Sequence, residues 1–241
     1  MNRPAPPGAG LYGKLPSRGD FVTRNLPSAF VRAWDGWLSS SIAESRRGLG
    51  AAWLERFLMA PPWRFALAPG LAGPTGWIGV MATSVDAVGR AFPLTLAAAL
   101  PAGTGLGRLT GDPTAALDRL ERLALALIDG GIDPEKAAGE ISAYAEAAVA
   151  AATAPVERQA LGAAEAGGWM TSGRPEASIA VRLTMTARAA GFDDRSLWWH
   201  DGGGAVPRTV VFVGLPDPAL FAVFLAADAA APSAATAGDR R

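Results

Sequence analysis

The sequence predicts an α/β layered sandwich. Three observations carry that prediction. Segments whose apolar residues alternate at a period of two are interleaved along the chain with segments at the helical period. Two Asp-Pro pairs, Asp112-Pro113 and Asp133-Pro134, each set a capping residue before a Pro suited to a first helical turn. No internal repeat at a solenoid period interrupts the pattern. The expected organisation is a flexible N-terminus over residues 1–8, one domain over 9–227 and a disordered Ala/Ser/Gly-rich tail over 228–241.

The first helix starts near Ser28, read as an N-cap after Pro27. Phe30, Trp34, Trp37/Leu38 and Ile42 then fall on one stripe. Burying an aromatic side chain of about 150–250 Å² contributes roughly 4–6 kcal/mol at about 25 cal/mol per Å². An exposed ion pair contributes about 0–1 kcal/mol. Aromatic packing, with Trp34 and Trp37 as core residues, therefore decides how this helix docks.

From Pro62 the period changes to two. Trp63, Phe65 and Leu67 alternate with Arg64 and Ala66, as in a half-buried strand. "GWIGVMA" (76–82) is a second strand, and "AFPLTLAAAL" (91–100), which contains Phe92, is a third with Pro93 near its start. Between them "SVDAVGR" (84–90) is read as one helical turn capped by Ser84 and terminated by Gly89. The helix after Asp112-Pro113 carries Leu117, Leu120, Leu123, Leu127 and Ile128. The helix after Asp133-Pro134 is Ala-rich, with Ile141 and Tyr144.

Residues 155–166 suggest a short helix, and residues 179–186 alternate as a strand. "SLWWH" (196–200) and "RTVVFVG" (208–214) pair across a Gly-rich turn, the second being apolar on both faces and so expected to be central. A last helix starts at Asp217-Pro218.

Composition narrows the function. The 241 residues include 22 Lys plus Arg and 22 Asp plus Glu, a zero balance that argues against nucleic-acid binding. The absence of cysteine removes disulfides and thiolate chemistry, and fits a reducing cytosol. No apolar run reaches the roughly 18–20 residues of a membrane helix, and "MNRPAPPGAG" lacks the apolar core of a signal peptide. The expectation is a soluble, cytoplasmic protein without membrane insertion.

"GAGLYGKLPSRGD" (8–20) places Gly8, Gly13 and Lys14 at the G-x-x-x-x-G-K spacing of a phosphate-binding loop. Its context does not fit. The Pro-rich residues before it cannot form a buried strand, Leu15 occupies the hydroxyl position, and Pro16 blocks the helix that should follow. The single His200 excludes a multi-histidine metal site. As a catalytic base it would need a nucleophile such as Ser84 and an acid such as Asp86 or Asp201, and no G-x-S-x-G elbow is present. No cofactor, metal or catalytic residue is expected.

What remains is a set of polar residues among aromatic ones: Lys14, Ser17, Arg18 and Asp20 in one stretch, Ser84, Asp86 and Arg90 in another. They are either ion pairs that satisfy buried turns or a surface for a protein partner. If Arg18 or Arg90 meets a buried acid, its truncation to Ala costs a few kcal/mol.

"GLYGKLPSRGDFVTRNLPSAFVRAWDGWL", "APPWRFAL", "SVDAVGRAFPLTLA" and "SLWWHDGGG" followed by "VFVGLPDPALFAVFL" closely resemble the TagF family of type VI secretion-associated proteins, across residues 9–226. Thr83 and Ala91 depart from the family pattern, in which a Pro and an aromatic are expected. The resemblance implies a three-layer α/β/α sandwich, expected here around a mixed β-sheet. It also implies a cytoplasmic, non-enzymatic, post-translational repressor of the type VI secretion system. The implied partner is a forkhead-associated scaffold protein, with a Ser/Thr phosphatase acting alongside in some members. Two alternatives stand beside this reading. One is an enzyme or a nucleotide- or small-ligand-sensing domain that uses Lys14, Arg18, Asp86 and Arg90 around a small anion; the other is a structural subunit of the apparatus.

Overall fold

A computed structural model describes residues 8–109, 111–154, 193–202 and 206–226. Among the described residues seven strands form one sheet: β1 (Ala9–Gly13), β2 (Val22–Arg24), β3 (Trp63–Leu67), β4 (Trp77–Ala82), β5 (Leu94–Ala99), β6 (Arg195–His200) and β7 (Arg208–Val213). Their order is β2-β1-β5-β4-β3-β6-β7. Every neighbouring pair is antiparallel, so the expected mixed sheet is corrected. The reason is topological. Four of the six neighbour pairs are consecutive in the chain and joined by direct returns, which antiparallel geometry allows and parallel geometry does not. The expected segments at 155–166 and 179–186 and the tail from 228 lie outside the described residues, so the centrality of β7 is not decided by β6, its one described neighbour.

Four α-helices among the described residues accompany the sheet: α1 (Ser28–Leu49), α2 (Trp53–Met59), α3 (Thr114–Ile128) and α4 (Pro134–Thr153). Leu117, Leu120, Leu123 and Leu127 of α3 share one apolar cluster with Ala66, Ile78, Val80 and Leu96 of the strands, and Ile141 of α4 joins it. The alternate strand residues Phe65, Leu67, Trp77, Met81 and Trp198 belong to a second cluster with Phe30, Trp34 and Trp37 of α1. The strand period of two thus sends successive residues to different clusters. That explains a second correction: Arg64, at an alternate position of a strand expected to be half-buried, is buried because both sides of β3 are covered.

Three indoles of the aromatic cluster have hydrogen-bond partners. Trp34 Nε1 donates to Thr95 Oγ1 at 2.9 Å, Trp37 to Pro216 O at 2.8 Å and Trp63 to Phe224 O at 3.0 Å. Burial of these three rings therefore does not strand their indole N–H groups, whereas the buried Nε1 of Trp198 has no partner among the described residues.

Helix ends follow local chemistry with three departures. No side chain caps α1; Pro27 precedes it and Ser28 is its first residue. Asp112 Oδ1 accepts from Thr114 N at 2.9 Å, one residue short of the expected start. Asp217 caps as expected, but the chain continues as a 3-10 helix, Pro218–Val223, rather than an α-helix. Three-residue turns eclipse residues i and i+3, bringing Phe221 and Phe224 together with ring centroids 5.5 Å apart. Asp133 and Pro134 start α4 as expected, with Asp133 Oδ1 accepting from Glu135 N at 2.9 Å.

Candidate functional site

The stretch that spells a phosphate loop is itself a strand, which the Gly-rich sequence conceals. Its glycines permit close backbone approach: a Cβ on Gly10 would lie 1.9 Å from Arg24 O, and one on Gly13 2.1 Å from Pro93 O. They admit neighbouring chain segments, not a pyrophosphate.

β1 ends at Gly13 and β5 pairs with it antiparallel, with Tyr12 opposite Thr95. The loop after β1 (14–21) and the loop before β5 (83–93) therefore leave the sheet at the same end. Asp86 joins them. Its Oδ2 accepts from Lys14 Nζ at 2.9 Å and from Arg90 Nε at 2.6 Å. Its Oδ1 accepts from Val88 N at 3.1 Å and Arg90 N at 2.8 Å. Two further bonds cross the gap, Ala87 N to Arg18 O at 2.9 Å and Arg90 Nη2 to Gly19 O at 2.6 Å.

The second loop is not the expected helical turn. Val85 bridges Ala91, and Asp86 N reaches Arg90 O at 3.1 Å, a tight return between strands. Gly89 adopts φ 82°, a conformation glycine takes without strain. Asp86, not Ser84, orders the turn; the Ser84 hydroxyl only approaches Val85 O at 3.4 Å.

Burial of the Asp86 carboxyl works against its charge. The bonds from Lys14, from the backbone and side chain of Arg90 and from Val88 N outweigh that cost and hold the group well below the usual carboxylate range. Lys14 also faces an aromatic group. Its Nζ lies 5.1 Å from the Phe21 ring centroid, and Phe21 stacks on Tyr12 at 5.6 Å and meets Phe92 edge-on at 4.8 Å. The Tyr12 hydroxyl donates to Asp35 of α1, and burial together with that bond raises its pKa.

The structure thus brings Lys14, Asp86 and Arg90 together beside Ser84. Ser17, Arg18 and Asp20 lie exposed on the first loop. Arg18 departs from a buried pairing, because its guanidinium meets the exposed Asp133 at 3.2 Å. Trp34, Trp37, Trp63, Phe65 and Phe92 are all buried in the aromatic cluster. His200 is buried edge-on against Trp63, with Nδ1 accepting from Gly202 N at 3.3 Å. The two acids considered as its orienting partner meet cations: Asp86 as above, Asp201 with Arg64. Among the described residues no group of three or more His, Asp or Glu side chains is placed to hold a metal. No helix among them is long and apolar enough to cross a membrane.

One ionic cluster escapes sequence reading. Arg64 meets Asp118 at 2.7 Å and Glu121 at 2.9 Å, both on α3, and also bonds Asp201. Burial disfavours its charge, but Glu121, Asp201 and Asp118 more than compensate and its pKa is raised. The i, i+3 spacing of Asp118 and Glu121 marks one helix face, but nothing local assigns that face to Arg64.

Two facing loops tied by a buried carboxylate thus stand at one end of the antiparallel sheet. The family model described as "TagF N-terminal domain, Type VI secretion system-associated" matches residues 10–144, which include both loops. The chain belongs to the TagF family. It is also similar to PA0076 from Pseudomonas aeruginosa PAO1, known from a crystal structure. The two are 37% identical over 93% of this chain and 97% of that one, with a TM-score of 0.66. No curated relative matches the chain.

Proposed function

We propose that this protein is a non-enzymatic, cytoplasmic regulator that represses the type VI secretion system post-translationally by binding a component of it, a forkhead-associated scaffold protein, with a Ser/Thr phosphatase acting alongside. Membership of a secretion-associated family is the observation that carries this reading. The geometry of the loops agrees with it. Lys14 and Arg90 share one carboxylate and Arg18 has another, so each cation that an anion-sensing site would use is already paired with a carboxylate of the chain. We read the two apolar clusters as the two interfaces of an α/β/α sandwich, whose sheet end presents the two loops.

The partner surface in this reading is the solvent side of the loop pair, formed by Ser17, Arg18, Asp20 and Phe21 with Val88 and Arg90. Phe21 is 44% exposed and Val88 74%, the apolar content that a protein contact needs at its centre. Effector export from a strain lacking the gene, under conditions that repress export in the parent, tests the function. Export is expected to rise, and unchanged export refutes the repressor role. Titration of the purified scaffold against the purified chain tests the partner.

A further inference from the structure

The two oxygens of Asp86 have separate tasks. Oδ1 accepts only from amides of its own loop, Val88 N and Arg90 N. Oδ2 accepts from Lys14 Nζ of the other loop and from Arg90 Nε, and Arg90 in turn reaches Gly19 O. The two large exposed apolar residues of the loop pair, Val88 and Phe21, are each tied to one of these oxygens. Val88 is held by its own N–H on Oδ1. Phe21 lies over the Lys14 ammonium, which Oδ2 anchors, and its other neighbours are the Tyr12 and Phe92 rings.

Without the carboxylate, Lys14 would be a buried cation with nothing to balance it, and its stem would swing toward water. Phe21 would lose its cation contact and keep only the Tyr12 and Phe92 rings.

We propose that Asp86 is the positioning residue that makes the two loops a single partner-binding unit, fixing Val88 through Oδ1 and Phe21 through Lys14 on Oδ2. The inference rests on the partner reading above, but the coupling between the loops is measurable without any partner. Asp86→Asn separates the two tasks. It retains an acceptor for the Val88 and Arg90 amides and replaces Oδ2 by an NH₂ group, which cannot accept from Lys14 or Arg90. Lys14→Met/Asp86→Asn then removes both buried charges and relieves the unbalanced cation.

The first experiment is amide hydrogen exchange on the full chain. Asp86→Asn is expected to speed exchange in residues 16–21 by about tenfold or more while the strand amides of β3 and β4 keep their protection. Unchanged exchange at 16–21 overturns the coupling. The second experiment measures melting and scaffold affinity of the double variant, which remains informative if Asp86→Asn fails to fold. The double variant is expected to melt near the wild type yet bind the scaffold about tenfold more weakly or worse. Wild-type affinity in the double variant means that Asp86 only balances charge, and overturns the proposal. If the wild type itself does not bind the scaffold, the partner reading fails, and the exchange result still decides whether the loops are coupled.

Discussion

Arg64→Met retains most of the stem volume and deletes the guanidinium. That group bonds Glu121 Oε2 through Nε at 3.0 Å and Nη2 at 2.9 Å, Asp118 through Nη2 at 2.7 Å, and Asp201 through Nη1. Deleting one partner of a fully buried pair costs about 3–5 kcal/mol, because the remaining charge is left unbalanced. Here the side chains of Asp118, Glu121 and Asp201 are 46%, 25% and 21% exposed, so water takes up part of the loss. Discounting for that screening leaves about 2–3 kcal/mol. Each kcal/mol shifts the melting temperature of a chain this size by about 2–4 °C, so Tm should fall by about 4–12 °C.

Arg64→Lys keeps the charge but loses the fork that reaches three acids, and should fall between the variant and the wild type. Urea denaturation of the full chain measures both, with an unchanged slope confirming that the unfolding transition is the same. Loss of less than about 1 kcal/mol in Arg64→Met would show that the acids rely on water, and that Arg64 does not tether α3 to the sheet.

Other expectations follow from the same reasoning. Arg18→Ala should change stability by only about 0–1 kcal/mol in the same titration, because its pair with Asp133 is exposed. The folded Asp86 carboxyl titrates below its unfolded value of about 3.9, so its stabilising contribution is complete above that pH and is lost as pH falls toward the folded value. The gap in Tm between wild type and Asp86→Asn should therefore narrow on acidification below about pH 4 in a series of thermal melts. Trp34→Ala, which empties a fully buried site at the centre of the aromatic cluster, should cost about 3–5 kcal/mol by chemical denaturation. Gly10→Ala places a Cβ 1.9 Å from the Arg24 carbonyl oxygen, so β1 and β2 must part. A loss of at least about 1–3 kcal/mol is expected, and an unaltered melt would contradict the strand assignment.

The features legible in the sequence are those set by neighbours along the chain. The Phe30, Trp34, Trp37, Ile42 stripe marks the buried face of α1, the alternation from Trp63 marks β3, and Asp133-Pro134 marks the start of α4. Each is a matter of period or of a cap within three residues, which the backbone geometry of a single element decides. β1 and β2 escaped because one is Gly-rich, with little side-chain pattern, and the other has only three residues. The helical turn expected at Ser84 failed because the amides Ser84 would cap bond elsewhere, Asp86 N to Arg90 O and Ala87 N to Arg18 O, while Asp86 Oδ1 orders the turn through Val88 N and Arg90 N.

By itself, then, the sequence determined the chemistry in hand and the local elements: the tryptophan stripe, the strand periods, the Asp-Pro starts, and the two polar stretches that mark the family. Tertiary structure alone decided which charges meet. Lys14 finds Asp86 across 72 positions of chain, and Arg64 finds acids 54, 57 and 137 positions away. It also decided that the sheet is antiparallel and that Arg18 faces solvent rather than the buried carboxylate. The physical reason is that backbone propensity and period act within a turn or a pleat. Ion pairing and strand register depend on where distant segments are brought by packing, and no local pattern encodes that distance.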